Sequence, residues 1–167
     1  MNELYENSNK LQRTIVVNSY NERKFTLMQF KNVTPEQINK FSKDTLMEHL
    51  DIEVVEIGET FLKARMPVDN RTKQPLGLLH GGASVVLIES LGSIGSSLLV
   101  DMEKEYPVGL EVNANHVGSA TSGFVEGTAE ILHLGRKTHV WKVDVKMAET
   151  GKLVCTGRLT IMIVQRK

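Results

Sequence analysis

The sequence predicts an α+β domain in which one long apolar helix is covered by a curved antiparallel sheet of five or six strands. Three observations predict it. Over residues 82–100 the apolar side chains Val85, Val86, Leu87, Ile88, Leu91, Ile94, Leu98, Leu99 and Val100 fall on nearly every face of a helix, one roughly 28 Å long. A helix that is apolar all round is normally buried. Around it lie six runs with the two-residue period and the Val, Ile, Thr and aromatic content of strands. Four of them follow the helix, joined by the short turn-rich separators that suit antiparallel neighbours. A buried helix needs cover, and a curved sheet supplies it.

The 167 residues suit one domain with a sizeable core. Lys+Arg and Asp+Glu both number 20, so no global field attracts nucleic acid or an anionic membrane. The long helix does not read as a membrane span, because Glu89 and five serines interrupt it. Cys155 is the only cysteine, so no intrachain disulfide forms, which fits a reducing compartment. The first 30 residues lack the apolar run of a secretory signal, and a cytoplasmic location is expected.

Taken in order, residues 1–27 are polar and read as a poorly ordered leader, with 28–167 as the single domain. Met28 offers an alternative start, which would make the leader dispensable; a short strand over 13–18 is the other reading. Thr34-Pro35-Glu36-Gln37 opens a helix: Thr34 as N-cap, Pro35 at the first helical position and Gln37 closing a capping box. Ile38, Phe41, Leu46 and Leu50 form its apolar stripe, with a break or kink on the way. Residues 52–57 and 60–66 read as strands joined by Gly58-Glu59, with Pro67 ending the second. Residues 68–79 form a turn-rich loop into the long helix. After a charged turn over 101–105, strands are expected over 108–117, 123–132, 138–147 and 153–164, with residues 118–122, 133–137 and 148–151 as separators.

Glu89 is an ionisable group in the middle of a helix that belongs inside. A buried carboxylate finds a partner or shifts its pKa. It is either a structural Glu bonded to nearby backbone or a catalytic carboxylate in a cleft. The helix entrance, His80-Gly81-Gly82, favours chemistry. An imidazole stands there beside two backbones with no side-chain obstruction, where free N–H groups and the positive dipole end gather. Such a place holds a developing oxyanion. Ser93, four residues after Glu89, shares its helix face and can hold the carboxylate or a water; small-residue packing is the other reading. His116, His133 and His139 do not make a metal site: there is no HExxH, no His pair at i,i+4 and a single Cys. There is no GxGxxG, P-loop or GxSxG, and no basic stripe for nucleic acid.

The runs Met66-Pro-Val-Asp, Gln74-Pro-Leu-Gly-Leu-Leu-His-Gly-Gly-Ala-Ser-Val-Val-Leu-Ile-Glu-Ser-Leu-Gly-Ser, Gly109-Leu-Glu-Val-Asn-Ala-Asn-His-Val and His133-Leu-Gly closely resemble the hotdog acyl-CoA thioesterases. The nearest branch is the PaaI-like one that includes 1,4-dihydroxy-2-naphthoyl-CoA hydrolase and the glutamate-dependent 4-hydroxybenzoyl-CoA thioesterases. The resemblance covers roughly residues 35–165. It implies a hotdog fold and hydrolysis of an aromatic or similarly compact acyl-CoA. Glu89 would be general base or nucleophile. His80 and the Gly81 N–H would sit at the thioester carbonyl, with Gln74 assisting. It implies CoA contacts at Gly109, at His116, Val117, Gly118 and Ser119, and at His133, Leu134, Gly135, Arg136, Lys137 and Thr138. Arg136 and Lys137 would supply charge for phosphates; the chain departs from its close relatives at Gly118, where a basic residue is common. No cofactor beyond the CoA of the substrate is implied. Paired chains are, as a homodimer or a dimer-of-dimers tetramer with sites at the interface.

Two other functions use the same fold: a hydratase or dehydratase, and a non-catalytic acyl-CoA sensor. A sensor has no need of Glu89 on a cleft face, and residues 1–51 offer only one convincing helix where an appended DNA-binding pair would be expected.

Spacing carries one more expectation. His80 and Glu89 are nine residues apart, about 13 Å along a helix and on roughly opposite sides. A reacting carbonyl must lie about 3 Å from both the attacking oxygen and its oxyanion donors. Each site is therefore expected to be shared between two chains.

Overall fold

The structure, a computed structural model, describes residues 30–167; the polar leader and the strand considered for 13–18 lie outside the described residues. Helix α1 is Pro35–Phe41. Its capping box forms: the Gln37 N–H donates to Thr34 Oγ1 at 3.3 Å and the Thr34 N–H to Gln37 Oε1 at 2.8 Å. The break allowed for within the apolar stripe is present. The chain breaks at Ser42, passes through Asp44 at φ 59° and resumes as the short helix α2, Leu46–His49. Aspartate tolerates this left-handed conformation better than most residues. Asn39 ties α1 to the sheet: its amide nitrogen donates to the Val54 carbonyl at 2.9 Å and its carbonyl accepts from the Val54 N–H at 2.8 Å. Both bonds go to β1, an edge strand, so Asn39 occupies part of an otherwise open edge.

Among the described residues six strands form one sheet, the upper of the two expected numbers. They are β1 Glu53–Ile57, β2 Phe61–Pro67, β3 Glu105–His116, β4 Phe124–Leu134, β5 Thr138–Met147 and β6 Leu153–Gln165. Every pair is antiparallel and the order is β1-β2-β4-β5-β6-β3. β3 is thus the second edge. The long helix α3, Gly81–Leu99, packs on the face that carries Trp141, Val143, Val145, Leu159 and Ile161. Gly95 makes that packing close: a β-carbon there would lie 2.6 Å from the Trp141 ring. With the helix on one face of a curved antiparallel sheet, the architecture is the hotdog arrangement.

Three expectations need correction. The helix starts at Gly81 rather than Gly82 and ends at Leu99, with His80 and Val100 as its caps. It is not covered all round. Ala83, Ser84, Leu87, Ile88, Leu91, Gly92, Gly95, Ser96 and Leu98 are buried, while Val85, Val86, Glu89, Ser90, Ser93, Ile94 and Ser97 are only half-buried. By length and composition α3 could cross a membrane, but its buried face packs on the sheet as a core helix does. Finally, β3 begins inside the charged turn at Glu105, and His133 and Leu134 belong to β4. A bulge between Ile131 and His133 shifts the register, so that His133 pairs with Val140 and Leu134 with His139. One extra residue interrupts the alternation that marks a strand, and the run past it reads as a turn.

Candidate active site

The entrance to α3 is built by the loop before it. The His80 N–H donates to the Thr72 carbonyl and the Leu79 N–H to the Ala120 carbonyl, each at 2.8 Å. Thr72 is buried and its hydroxyl donates to the Pro67 carbonyl at 2.7 Å. His80 is the N-cap: its Nδ1 accepts the Gly82 N–H at 2.8 Å. A neutral imidazole that accepts at Nδ1 carries its proton on Nε2. The exposed His80 ring therefore presents an N–H donor outward.

Gln74 is held by the same loop. Its backbone N–H donates to the Leu78 carbonyl at 2.8 Å, and its side-chain oxygen accepts the Leu76 N–H at 2.6 Å. That bond demands an acceptor, so the amide NH2 is left as a donor without a partner among the described residues. Gly77, at φ 78°, allows the turn between them.

Gly81 is the first helical residue, and its N–H has no partner among the described residues. The His116 ring lies against it: a β-carbon on Gly81 would be 2.7 Å from His116 Nε2. Any side chain there would push that ring away from the helix end. An unpaired N–H and the helix dipole thus meet two imidazoles at one spot.

Glu89 stands elsewhere. Its carboxylate lies against the backbone of Gly109 so closely that a β-carbon on Gly109 would overlap it. Its one hydrogen bond among the described residues is long, from the Ser93 hydroxyl to Oε1 at 3.4 Å. Among the described residues no cation pairs with it. Burial pushes its carboxyl pKa above the usual glutamate range, and the Ser93 hydroxyl acts in the opposite sense. A half-buried, unpaired carboxylate is the environment of a group held ready to take a proton or attack.

The remaining expected residues divide between these two places. His116 pairs with Cys155 on β6, and the Val117 and Gly118 N–H groups donate to the Val154 carbonyl at 2.9 and 3.0 Å. Val117 and Ser119 are exposed there. Gly109 pairs with Ile161, Ile161 with His139, and Thr138 with Met162. In the turn after β4 the Gly135 N–H donates to the Thr138 carbonyl, and the Ile163 N–H donates to the Lys137 carbonyl, both at 2.9 Å. Arg136 and Lys137 are exposed, and neither meets a carboxylate among the described residues.

From Cys155 to Ile161 is six residues of strand, about 20 Å. One end of the chain thus gathers Gln74, His80, Gly81 and residues 116–119. The other gathers Glu89, Ser93, Gly109 and residues 133–138. The donors and the carboxylate are on the same helix but are not brought together in one chain. Among the described residues no group of His, Cys, Asp and Glu has the arrangement of a metal site.

One cluster escaped the reading of the sequence as a site. His139, Trp141 and Ser96 are buried and bonded to one another. The available signal was phase: His139 is two residues before Trp141 and four before Val143, on the inward side of β5.

The family model of the thioesterase superfamily matches residues 76–155. The chain is 48% identical over 134 residues to 1,4-dihydroxy-2-naphthoyl-CoA hydrolase of Escherichia coli K12, covering 80% of this chain and 97% of that one. It is 42% identical over 134 residues to the proofreading thioesterase EntH of Cronobacter turicensis, covering 80% and 96%. Among solved structures, thioesterase PA1618 of Pseudomonas aeruginosa superimposes with a TM-score of 0.81 at 46% identity, over 83% of this chain and 99% of that one.

Proposed function

Since this chain belongs to the thioesterase superfamily and is a thioester hydrolase, we propose that it cleaves acyl-CoA thioesters at sites shared between two copies of the chain. The acyl group is aromatic or similarly compact. The observation that supports this most is the division of the site residues into two groups about 20 Å apart on one sheet. Each group is half of a hydrolytic site. The unpaired Gly81 N–H, the His80 Nε2–H and the free amide of Gln74 suit the carbonyl oxygen, whose negative charge grows as the carbon becomes tetrahedral. The carboxylate of Glu89 suits the attacking side. It either takes a proton from water as the water oxygen bonds to the carbonyl carbon, or forms that bond itself and yields an anhydride that water then opens. Either way the C–S bond breaks, the thiol leaves with a proton and the acid is released.

No metal or added cofactor has a part in these steps. The exposed Arg136 and Lys137 beside the Glu89 half, and residues 116–119 beside the His80 half, suit the phosphates and pantetheine of CoA. The assembly is a homodimer or a dimer of dimers, in the cytoplasm, with no role for nucleic acid or membrane.

A panel of acyl-CoAs assayed for released thiol tests the reading. Aryl-CoAs are expected to exceed long-chain acyl-CoAs in kcat/KM by at least about tenfold, since an ill-fitting pocket costs about 1–3 kcal/mol. Preference for long chains would discard the acyl class. Enoyl-CoA converted with no thiol released would point to a hydratase.

The pH profile gives a second expected result. Glu89 acts ionised, so kcat/KM falls on the acid side with its pKa. Burial raises that pKa and the Ser93 hydroxyl lowers it, so removing the hydroxyl raises it further. In Ser93→Ala the acid limb should move to higher pH while the plateau persists. A limb that stays in place would remove Ser93 from the site.

A further inference from the structure

Below the outer surface of the Glu89 half lies a polar cluster that no step of the hydrolysis uses. The Trp141 indole donates its Nε1–H to Ser96 Oγ at 2.9 Å, and the same oxygen is 3.0 Å from His139 Nδ1. Ser96 is fully buried, as is Trp141, and His139 is 3% exposed. An indole nitrogen only donates, so Ser96 accepts there. The hydroxyl proton then needs an acceptor, and His139 Nδ1 is the one within reach. The imidazole consequently carries its proton on Nε2. His139 directly follows the turn: Thr138, before it, accepts the Gly135 N–H at 2.9 Å, and His139 pairs across the strand with Leu134, the residue before Gly135. The directions agree from indole to hydroxyl to imidazole. Burial lowers the His139 pKa, in keeping with a neutral ring that accepts at Nδ1.

Each member sits on a different part of the site. Ser96 is on α3, seven residues after Glu89, about 10 Å further along and on nearly the same side. His139 is in the cross-strand row that runs through Ile161 to Gly109, the residue against the Glu89 carboxylate. Gly135 opens the turn that carries Arg136 and Lys137. Its other side is packed: a β-carbon there would be 2.6 Å from His133 Nε2 and 3.0 Å from the Thr138 carbonyl. A hairpin tip with two exposed cations has few apolar contacts to hold it, and the Ser96–His139 hydrogen bond ties the residue that follows it to the helix. A purely structural cluster would need no imidazole: an apolar residue would fill the space without buried polar atoms to satisfy.

We propose that Ser96 and His139 are positioning residues that hold the Gly135–Thr138 turn at a fixed height on α3, so that Arg136 and Lys137 meet the nucleotide phosphates of CoA while the thioester reaches Glu89. This rests on the reading above that the turn binds the CoA nucleotide.

The test compares two thioesters of one acyl group, the best of the panel above: one on CoA and one on pantetheine, which lacks the nucleotide. Arg136→Ala/Lys137→Ala should raise KM for the CoA thioester and leave the pantetheine thioester unchanged. His139→Leu should do the same, raising KM for the CoA thioester about tenfold, the size of a lost charge-assisted contact, with kcat within about twofold. His139→Gln, whose amide oxygen can still accept from the Ser96 hydroxyl, should recover most of that loss. Ser96→Ala, a smaller change, should show the same selectivity to a lesser degree, and decides the matter alone if His139→Leu does not fold. No effect of the double variant overturns the nucleotide reading and the proposal with it. A selective effect of the double variant, with His139→Leu and Ser96→Ala altering both thioesters equally or neither, overturns the proposal alone.

Discussion

Refolding an equimolar mixture of inactive His80→Ala and inactive Glu89→Ala chains is expected to restore about a quarter of the wild-type activity. The figure follows from two-fold symmetry. Random pairing makes half of the dimers mixed. In a mixed dimer, one shared site carries both lesions and the other carries neither. The physical basis is the separation along α3. His80 caps its first turn, whereas Glu89 lies about 13 Å further along, against Gly109. The half-buried side of α3, with Val85, Val86, Glu89, Ser93 and Ile94, and the edge of β3, unpaired among the described residues, leave surface for a second copy. Sites confined to single chains would each keep one lesion, and the mixture would stay inactive. An inactive mixture in which mass measurement finds mixed dimers therefore rejects the shared site.

Glu89→Gln is expected to lower kcat by at least about 10²-fold, the low end for loss of a general base. The amide keeps the shape of the carboxylate beside Gly109 and can still accept from Ser93. Binding of CoA should persist, since the positions read as its contacts are untouched. Stability should move the other way. Burial raises the Glu89 pKa in the folded protein, so the folded state binds that proton more tightly than the unfolded chain. The stability this contributes is present below the unfolded pKa and lost as pH rises through the folded one. At neutral pH the wild type thus bears the cost of an ionised, half-buried carboxylate, and the amide does not. Thermal denaturation at pH 7 should find Glu89→Gln at least as stable as the wild type, with its advantage shrinking toward acid pH. A variant that hydrolyses at the wild-type rate would take Glu89 out of the chemistry. One that is inactive and also unstable would leave Glu89 with a structural role only.

The bulge at Ile131–His133 moved His133 and Leu134 from a separator into β4, because one inserted residue defeats a period of two. The break expected in the helical stripe over 38–50 falls after Phe41, where Ser42 caps α1 and Asp44 turns left-handed. Both are places where geometry of one or two residues overrides a periodic pattern. The capping box at Thr34 and the turn at Gly77 involve neighbours within a few residues, and there the sequence reads correctly.

What the sequence determined by itself is what short-range rules govern. A strand or helix period, a cap, a glycine at a helix entrance and the nine-residue interval from His80 to Glu89 are all set within one or two turns of chain. From these come five or six strands, the long helix, and the expectation that each site is shared between two chains. Only the tertiary structure decided which side of α3 meets the sheet, since a helix apolar on nearly every face carries no preferred direction of its own. The choice comes from long-range fit: Trp141 fills the space left open at Gly92 and Gly95, and Ser96 meets His139 and the indole. With that side buried, Glu89 is turned toward Gly109, and its neighbours on the helix are left half-covered. Strand register, which no local pattern records, then sets His116 against Gly81 and separates the two groups of candidate residues along β6.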